Sequence, residues 1–252
     1  MLKPRIIPTL LLRNNRMVKG VNFKDYKDTG DPISASKVYN SQFVDELIFI
    51  DIDATTEQRD PNYNILKEVS KECFMPFTFG GGIQNIQQIR KLLKSGADKV
   101  IINSSATNNQ EFIHEAVQTF GSQCIVIAID VKKIDKKYRV FTHSGRKKYK
   151  LLLDEYLDVI SGYNVGEIFI NSIDQDGKMN GYDNDLINFV TNRSMLPVIA
   201  CGGAGNFMHI YESFIDTNVS ALAMASIFHF SDNNPIRCRS FLKNKGIDLK
   251  VV

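Results

Sequence analysis

The chain has 252 residues and a mass of 28.5 kDa, with 43% hydrophobic residues, 23% charged residues and only 7 prolines. This composition is typical of a globular protein and excludes disordered, collagen-like and disulfide-scaffold proteins. The net charge of +3 is too small to indicate a nucleic acid or a membrane surface as the partner.

Eight short apolar runs predict β-strands. They are nearly continuous rather than alternating, as expected of strands that are buried on both faces. In chain order they cover 5–12, 46–53, 76–80, 98–103, 123–130, 166–172, 197–201 and 220–224. Segments with helical periodicity lie between several of them, for example 86–94 and 155–161.

The spacing of these runs predicts an α/β fold, a (β/α)8 TIM barrel. Eight strand–helix units in 252 residues average about 31 residues each, a usual length for such a unit. No linker rich in Pro, Gly or Ser divides the chain, so we expect one barrel domain over 1–252. Residues 138–142, after a lysine-rich turn, predict an extra hairpin in the loop that follows the fifth strand.

An internal repeat indicates that the barrel consists of two duplicated half-barrels. Three pairs of segments are similar at nearly one displacement, about half the chain. They are RIIPTLLL (5–12) with CIVIAIDV (124–131), ELIFIDID (46–53) with EIFINSID (167–174), and FGGGI (79–83) with CGGAG (201–205). The alternative is chance similarity among apolar strands.

Nothing in the sequence indicates a membrane span, a secretion signal, a metal or a cofactor. No apolar run approaches the ~18 residues of a membrane span, and the N-terminus lacks the pattern of a signal peptide. The histidines are scattered, and the cysteines form no CxxC pattern, which favours reduced thiols over disulfides or metal ligands. These cysteines are Cys73, Cys124, Cys201 and Cys238. We therefore expect a soluble, cytoplasmic protein.

Two glycine clusters fall where a barrel of this kind has its active site, at the carboxyl ends of the strands. Residues 80–82 are at the end of the third strand, and Gly202 and Gly203 are at the end of the seventh. Glycine allows the backbone to approach a phosphate, and free N–H groups at the start of the next helix bind the anion. Four residues after the fourth and eighth strands can complete each phosphate cradle: Asn103, Ser104, Ala225 and Ser226. The pair predicts a long substrate held by a phosphate at each end; tight turns without a ligand are the alternative.

Asp130 ends the fifth strand, at a position suited to a general acid or base. The duplication predicts an equivalent acid at the end of the first strand, but that residue is Leu11, which cannot transfer a proton. An aspartate that only caps the next turn is the alternative for Asp130. Other candidates near the barrel mouth are Lys19, Asp51, Ser144, Asn171, Asp174 and Asp176. The run IDQDG (173–177) favours a structured turn over a metal site.

Four charged residues lie near the amino ends of strands one, two, four and six: Arg5, Glu46, Lys99 and Glu167. Burying such charges is costly unless they are paired, so a ring of ion pairs that closes this end is one interpretation. From spacing alone, four ordinary surface residues are the simpler interpretation.

The chain resembles the HisF family, the cyclase subunits of imidazole glycerol phosphate synthase, from residue 1 to about 245. Several motifs together carry the resemblance. They are RMVKG (16–20), DELIFIDIDA (45–54), PFTFGGGI (76–83), GADKVIIN (96–103), TFGSQ (119–123), AIDVKK (128–133), HSG (143–145), SIDQDG (172–177), GYD (181–183), ACGGAG (200–205) and FHF (228–230).

The resemblance implies a lyase that takes ammonia from a glutaminase (HisH-like) subunit, as a heterodimer, and adds it to a substrate with two phosphates. It implies that the four charged residues form an ammonia gate, that Asp98 faces the glutaminase and that Asp130 is catalytic. It also implies a substrate- and phosphate-binding set: Lys19, Gly81, Gly82, Asn103, Ser104, Ser144, Asp176, Gly177, Gly202, Gly203, Ala225 and Ser226.

The departures from the family pattern leave three hypotheses open. Leu11 replaces one of two catalytic aspartates, while Ser104 and Asn171 replace threonines and Cys201 replaces a serine. The favoured hypothesis is a paralogue that passes ammonia to a separate sugar-modifying amidotransferase in surface-glycan biosynthesis. The second is a working cyclase in histidine biosynthesis, with Asp51 or another acid standing in for Leu11. The third is a non-catalytic scaffold that binds and activates its glutaminase.

Overall fold

The computed structural model describes residues 3–250 and contains a closed parallel β-barrel. The described residues form twelve strands: β1 (Arg5–Arg13), β2 (Arg16–Val21), β3 (Lys24–Gly30), β4 (Leu47–Asp51), β5 (Phe77–Gly80), β6 (Lys99–Ile102), β7 (Ile125–Ile134), β8 (Lys137–Thr142), β9 (Lys147–Leu152), β10 (Glu167–Ser172), β11 (Val198–Cys201) and β12 (Ala221–Met224). Eight of them pair in parallel in the order β1, β4, β5, β6, β7, β10, β11, β12, and β12 pairs with β1. The predicted (β/α)8 barrel is confirmed.

Helices connect the strands and cover the outside of the barrel. They are α1 (Pro32–Ser41), α2 (Tyr63–Glu72), α3 (Ile86–Lys94), α4 (Ser104–Asn108), α5 (Gln110–Phe120), α6 (Leu153–Ser161), α7 (Asn184–Thr191), α8 (Phe207–Asp216), α9 (Ser226–His229) and α10 (Pro235–Asn244), with a 3₁₀ turn at Ser122–Cys124. Within the part of the chain that the structure describes, no helix combines the length and apolar character needed to span a membrane.

Two antiparallel hairpins extend the barrel wall above its carboxyl-terminal rim. The second hairpin consists of β8, β9 and the outer end of β7 (131–134), and β8 pairs with β7 from Asp130 onward. The sequence predicted it at 138–142. The first hairpin, β2 and β3, pairs with β1 and was missed. Because β3 (KDYKDTG) is largely exposed, it lacks the apolar run on which the strand predictions depended.

Strand registers relate the two halves of the barrel. Leu11 pairs with Val18 of the first hairpin and with Ile50 of β4. Asp130 pairs in the same manner with Phe141 of the second hairpin and with Asn171 of β10. The positions of Leu11 and Asp130 are therefore equivalent in the two halves, as the displacement of the repeat predicted.

The barrel interior contains an apolar layer between its two ends. A separate buried cluster includes Ile7, Ile48, Ile101 and Phe169, while a larger cluster fills the space between strands and helices. Gly80 is required where β5 meets β6, because a Cβ there would lie 1.9 Å from Ile101 Cγ2. The small residue thus makes room for a large neighbour in the packed interior.

Candidate active site

A cavity of about 810 Å³ lies at the carboxyl ends of the strands, under the two hairpins. This is the end at which (β/α)8 enzymes place their active sites. Its walls include most of the residues predicted at the mouth. These are Leu11, Lys19, Asp51, Gly81, Gly82, Asn103, Ser104, Asp130, Ser144, Asn171, Asp176, Cys201 and Ala225.

Asp130 is buried in the cavity wall between two amide side chains. Asn103 Nδ2 donates to its Oδ2 at 2.9 Å, and Asn171 Nδ2 donates to its Oδ1 at 3.4 Å. Burial raises the pKa of Asp130 to about 7, although the two amide hydrogen bonds oppose that shift. A carboxyl group with this pKa can both accept and donate a proton near neutral pH.

The other two carboxylates in the cavity wall are held in ion pairs. Both oxygens of Asp51 accept from Arg59, at 2.6 and 2.7 Å. Lys19 is 4% exposed, and its Nζ lies 2.7 Å from Asp176 Oδ1 and 2.8 Å from the Gly20 carbonyl oxygen. Asp130 is thus the cavity carboxyl without a cationic partner among the described residues.

The glycines predicted to bind phosphate all have positive φ angles and close backbone contacts, but only two of them line the cavity. Gly81 and Gly82 line it. Gly177, Gly202 and Gly203 do not line it, and their positive φ angles accompany close backbone contacts. A Cβ on Gly203, for example, would lie 2.0 Å from the Gly181 carbonyl oxygen. Tight approach between loops accounts for the backbone conformation of these three glycines, and their contact with a phosphate stays a prediction.

The remaining predicted mouth residues lie beside the cavity. Ser226 begins α9 and is buried next to Ala225 but does not line the cavity. Asp174 faces the second hairpin, where its Oδ2 accepts from the Lys133 backbone N–H at 2.7 Å. Residues 173–177 thus form a structured turn within the described chain, which contains no cluster of potential metal ligands.

At the amino ends of the strands, four charged side chains form a closed ring. Arg5 pairs with Glu46 at 2.8 Å and also with Glu167. Lys99 pairs with Glu46 at 3.0 Å and with Glu167 at 2.8 Å. Thr78 donates to Glu46 at 2.7 Å. The interpretation of these residues as unrelated surface charges is wrong, because β-strand closure brings all four to one end of the barrel interior.

Asp98 lies at the same end of the barrel, immediately before β6. It is exposed, and its Oδ2 accepts from the Phe77 backbone N–H at 2.9 Å. This hydrogen bond fixes the side chain at the amino-terminal face. The contact of Asp98 with a glutaminase subunit stays a prediction.

Several cavity residues come from the hairpins and were missed in the sequence. Phe23 and Tyr26 belong to the first hairpin, and His143, Arg146 and Lys147 belong to the second. Burial raises the pKa of Tyr26 to about 12, and Arg13 lies over its ring at 4.3 Å. A lysine-rich turn was the available signal for the second hairpin, while no comparable signal marked the first.

Comparison with known proteins agrees with this geometry. A family model described as "Histidine biosynthesis protein" matches residues 5–234. The chain is 42% identical over 251 residues, covering 100% of both chains, to the imidazole glycerol phosphate synthase subunit HisF of Natranaerobius thermophilus (strain ATCC BAA-1301 / DSM 18059 / JW/NM-WN-LF). The chain belongs to the HisF family. The matched region of this HisF-family barrel includes both the ion-pair ring and the cavity wall.

In this HisF-family chain, the cavity has an acid at only one of two equivalent positions, because the other position is the apolar Leu11. Leu11 lines the cavity at the position equivalent to that of Asp130. Cys201, also in the wall, has its pKa raised to about 12 by burial, so it stays a neutral thiol at pH 7. Among the carboxyl groups of the described cavity wall, Asp130 is therefore the one suited to proton transfer near neutral pH.

Proposed function

We propose that the chain is the synthase subunit of a glutamine-dependent amidotransferase. In this proposal a HisH-like glutaminase docks on the amino-terminal face, near Asp98, and forms a heterodimer with the barrel. Ammonia enters through the charged ring and reaches a phosphorylated ribotide-like ligand in the cavity. The observation that carries the proposal is the closed ring of Arg5, Glu46, Lys99 and Glu167.

The ring supports a gate because its charges have no evident role in a free barrel. Partly buried ion pairs contribute little net stability, since desolvation offsets their attraction. Movement of either Arg5 or Lys99 would open the amino-terminal end of the barrel interior. The two carboxylates would still hold the other cation in place. Ring closure and opening can thus control entry of a small molecule.

The interior beyond the ring suits neutral ammonia better than ammonium. Apolar residues of the inner cluster separate the ring from the cavity, and an isolated charge is costly in such surroundings. On the cavity side, Thr9 Oγ1 and Asn171 Oδ1 are buried, line the wall and have no hydrogen-bond partner among the described residues. Both oxygens can accept a hydrogen bond from arriving ammonia.

The cavity supports a phosphorylated ligand on two sides. Gly81 and Gly82 present backbone at the β5 end, and Ser104 begins α4 at the β6 end. Arg146 and Lys147 add cationic side chains from the second hairpin. Backbone N–H groups and cationic side chains donate hydrogen bonds to the negatively charged oxygens of a phosphate.

Leu11 lowers the rate at which this subunit can cyclise its ligand, because it replaces one of two acids. Loss of one of two proton-transferring groups typically removes ~10² to 10⁴-fold in rate. We therefore propose that ammonia passes to another acceptor, a separate sugar-modifying amidotransferase of surface-glycan biosynthesis. Transfer of ¹⁵N from labelled glutamine to a sugar product in the three-protein mixture supports this step, and its absence contradicts it.

A second candidate is a working cyclase that uses Asp130 alone. The observation in its favour is the pKa of about 7, which allows one carboxyl group to accept a proton in one step and donate it in another. Asp51 is a poor replacement for the missing acid, because Arg59 engages both of its oxygens.

Turnover of the two-phosphate ribotide with saturating ammonium separates the two candidates. For the ammonia-transferring paralogue we expect wild-type turnover about 10² to 10⁴-fold below that of Leu11→Asp, because the variant restores the second acid. Leu11→Asn is the matched control, since it adds a polar group of the same size without an acidic proton. Measurable turnover that is equal in wild type and Leu11→Asp would establish the single-acid cyclase instead.

The gate is tested by coupling glutamine hydrolysis to ammonia use in the complex with a HisH-like glutaminase. Arg5→Ala opens one side of the ring, so we expect ammonia to appear in solution while glutamine hydrolysis continues. Arg16→Ala is the control, because this exposed arginine pairs with Asp28 of the first hairpin and, among residues 3–250, with no other carboxylate. Unchanged coupling in Arg5→Ala would contradict the gate, and glutaminase activation without ammonia transfer would favour the scaffold.

A further inference from the structure

The second hairpin concentrates positive charge above the cavity. Residues 131–150 contain nine Lys and Arg side chains and one acidic side chain, Asp135, for a local net charge of +8. The whole chain has a net charge of only +3, so the remainder is net negative. Such an uneven distribution creates a directed field at the surface.

The cations of this hairpin are unpaired. Among residues 3–250, no carboxylate lies within 4.0 Å of any of the nine. The equivalent first hairpin differs, because its pairs are Arg13 with Asp53, Arg16 with Asp28, and Lys19 with Asp176. Lys24 and Lys27 of the first hairpin lie outside these pairs, so the pseudo-twofold structure contains a partly neutralised hairpin and, at the equivalent position, one whose nine cations are all unpaired within the described chain.

Strand pairing places several of these cations on the face that continues the inner wall of the barrel. In β7 the inward-facing positions include Ala128 and Asp130, so alternation puts Lys132 on the same face. Lys132 pairs with Arg139, and position 134 pairs with Lys137. Lys148 pairs with Phe141, which itself pairs with Asp130.

These cations continue outward from residues that line the cavity. Arg146 and Lys147 lie in its wall, while Lys137 and Lys148 are exposed and lie outside it. The carboxylates of the cavity other than Asp130 are neutralised by Arg59 and Lys19. An approaching anion thus meets unopposed positive charge first at the hairpin and then at the cavity wall.

We propose that the inward face of the second hairpin, formed by Lys132, Lys137, Arg139 and Lys148, guides anionic ligands into the cavity. The inference rests on the proposed function, because it takes the ligand to be a small molecule with phosphate groups. The face accelerates entry of the anion and makes no contact with it once it is bound. It is therefore a determinant of association rate rather than part of the binding site.

Guidance and direct contact have different kinetic signatures. Long-range attraction raises association rates by about 10 to 10³-fold and falls steeply with ionic strength. The Debye length shrinks from about 30 Å at 0.01 M to about 8 Å at 0.15 M, so salt screens a charge beyond the cavity rim. A direct contact instead changes the dissociation rate and is less sensitive to salt.

The experiment measures association and dissociation of the two-phosphate ribotide by stopped flow at ionic strengths from about 0.01 to 0.5 M. The test variant is Lys137→Glu/Lys148→Glu. The control is Lys94→Glu/Lys243→Glu, which makes the same charge change at exposed positions in the last turns of α3 and α10. Those helices end toward the amino-terminal face, away from the cavity. Circular dichroism checks that both variants are folded.

We expect the test variant to associate about tenfold more slowly than wild type at 0.01 M, with curves that converge at 0.5 M and an unchanged dissociation rate. The control should follow wild type within twofold. If test and control variants associate equally fast, or if the test variant changes mainly dissociation, guidance is wrong while the proposed ligand stands. If wild type binds no ribotide, the proposed function and this inference are both wrong.

Discussion

At the scale of single residues, the chemistry of the cavity depends on Asp130. Its carboxyl group is buried between Asn103 and Asn171, and no described cation balances its charge. Burial raises its pKa from 3.8 to about 7. The structure therefore tolerates the protonated form better than the ionised form, and this preference links the site to protein stability.

The sign of this linkage is opposite to that of a salt-bridged aspartate. Between pH 4 and 7 the unfolded chain releases the proton of Asp130 while the folded chain retains it. The unfolded state then binds fewer protons, so the free energy of unfolding falls as pH rises through this window. A shift of about three units corresponds to at most about 4 kcal/mol, at 1.36 kcal/mol per unit.

We therefore predict that Asp130→Asn gains stability relative to wild type as pH rises from 4 to 8, by at most about 4 kcal/mol. The amide keeps the size of the side chain but cannot ionise. Urea unfolding at both pH values measures the change. Asp158→Asn is the control because its carboxylate is 65% exposed. A constant difference between Asp130→Asn and wild type would contradict the raised pKa.

At the scale of elements, the helices begin at residues that the local sequence specifies. Five helix N-caps are asparagines whose side chains accept a backbone N–H of the first turn: Asn62, Asn85, Asn109, Asn206 and Asn234. Asparagine suits this position because its short carbonyl satisfies an N–H that has no partner within the helix. These caps help to fix where the five helices begin.

The cap of α3 gives a sharp test. Asn85 Oδ1 accepts from the Gln88 N–H at 2.9 Å, so Asn85→Ala should lower the free energy of unfolding by about 1 kcal/mol. Asn85→Asp should keep or increase stability, because α3 has no acidic residue in its first turn. Urea unfolding measures both. Asn64→Ala on exposed α2 surface is the control, and an equal loss there would contradict a capping effect.

At the scale of the whole molecule, barrel closure creates the charged ring. Three of its members lie in strands and Glu46 immediately precedes β4, and Arg5 and Glu167 are 162 residues apart. Each carboxylate in the ring contacts both cations, so removal of one residue leaves a partly buried charge without its partner. The loss of stability on removing one residue therefore depends on the ratio of cations to carboxylates left in the ring rather than on any one ion pair.

A double-mutant cycle measures this balance. Lys99→Met should destabilise the barrel by about 1 to 3 kcal/mol, because two carboxylates then share one arginine. Adding Glu167→Gln should restore part of that loss, with a coupling of at least about 1 kcal/mol. The exposed pair Glu68 and Lys71 is the control, and its cycle should give less than about 0.5 kcal/mol. Additive losses in the ring would contradict coupled ion pairs.

Much of the barrel was predictable because its strands carry strong local signals. The eight apolar runs correspond to the eight barrel strands, and the segment 86–94 matches α3. The first hairpin was missed because its outer strand is exposed and polar. At the site, Asp130 and Leu11 could be compared from the displacement of the repeat, whereas Tyr26 and Arg146 came to the cavity only through the fold of the hairpins.

The sequence by itself determined the parallel barrel, the duplication and the absence of an acid at position 11, since apolar runs and repeated motifs are local properties of the chain. Only the tertiary structure decided which charges meet. Lys19 pairs with Asp176, 157 residues away, and Arg59 pairs with Asp51. Both aspartates therefore have a cationic partner, which Asp130 lacks among the described residues. Ion pairs and pKa values depend on distance and burial in three dimensions, and a linear pattern does not specify either quantity.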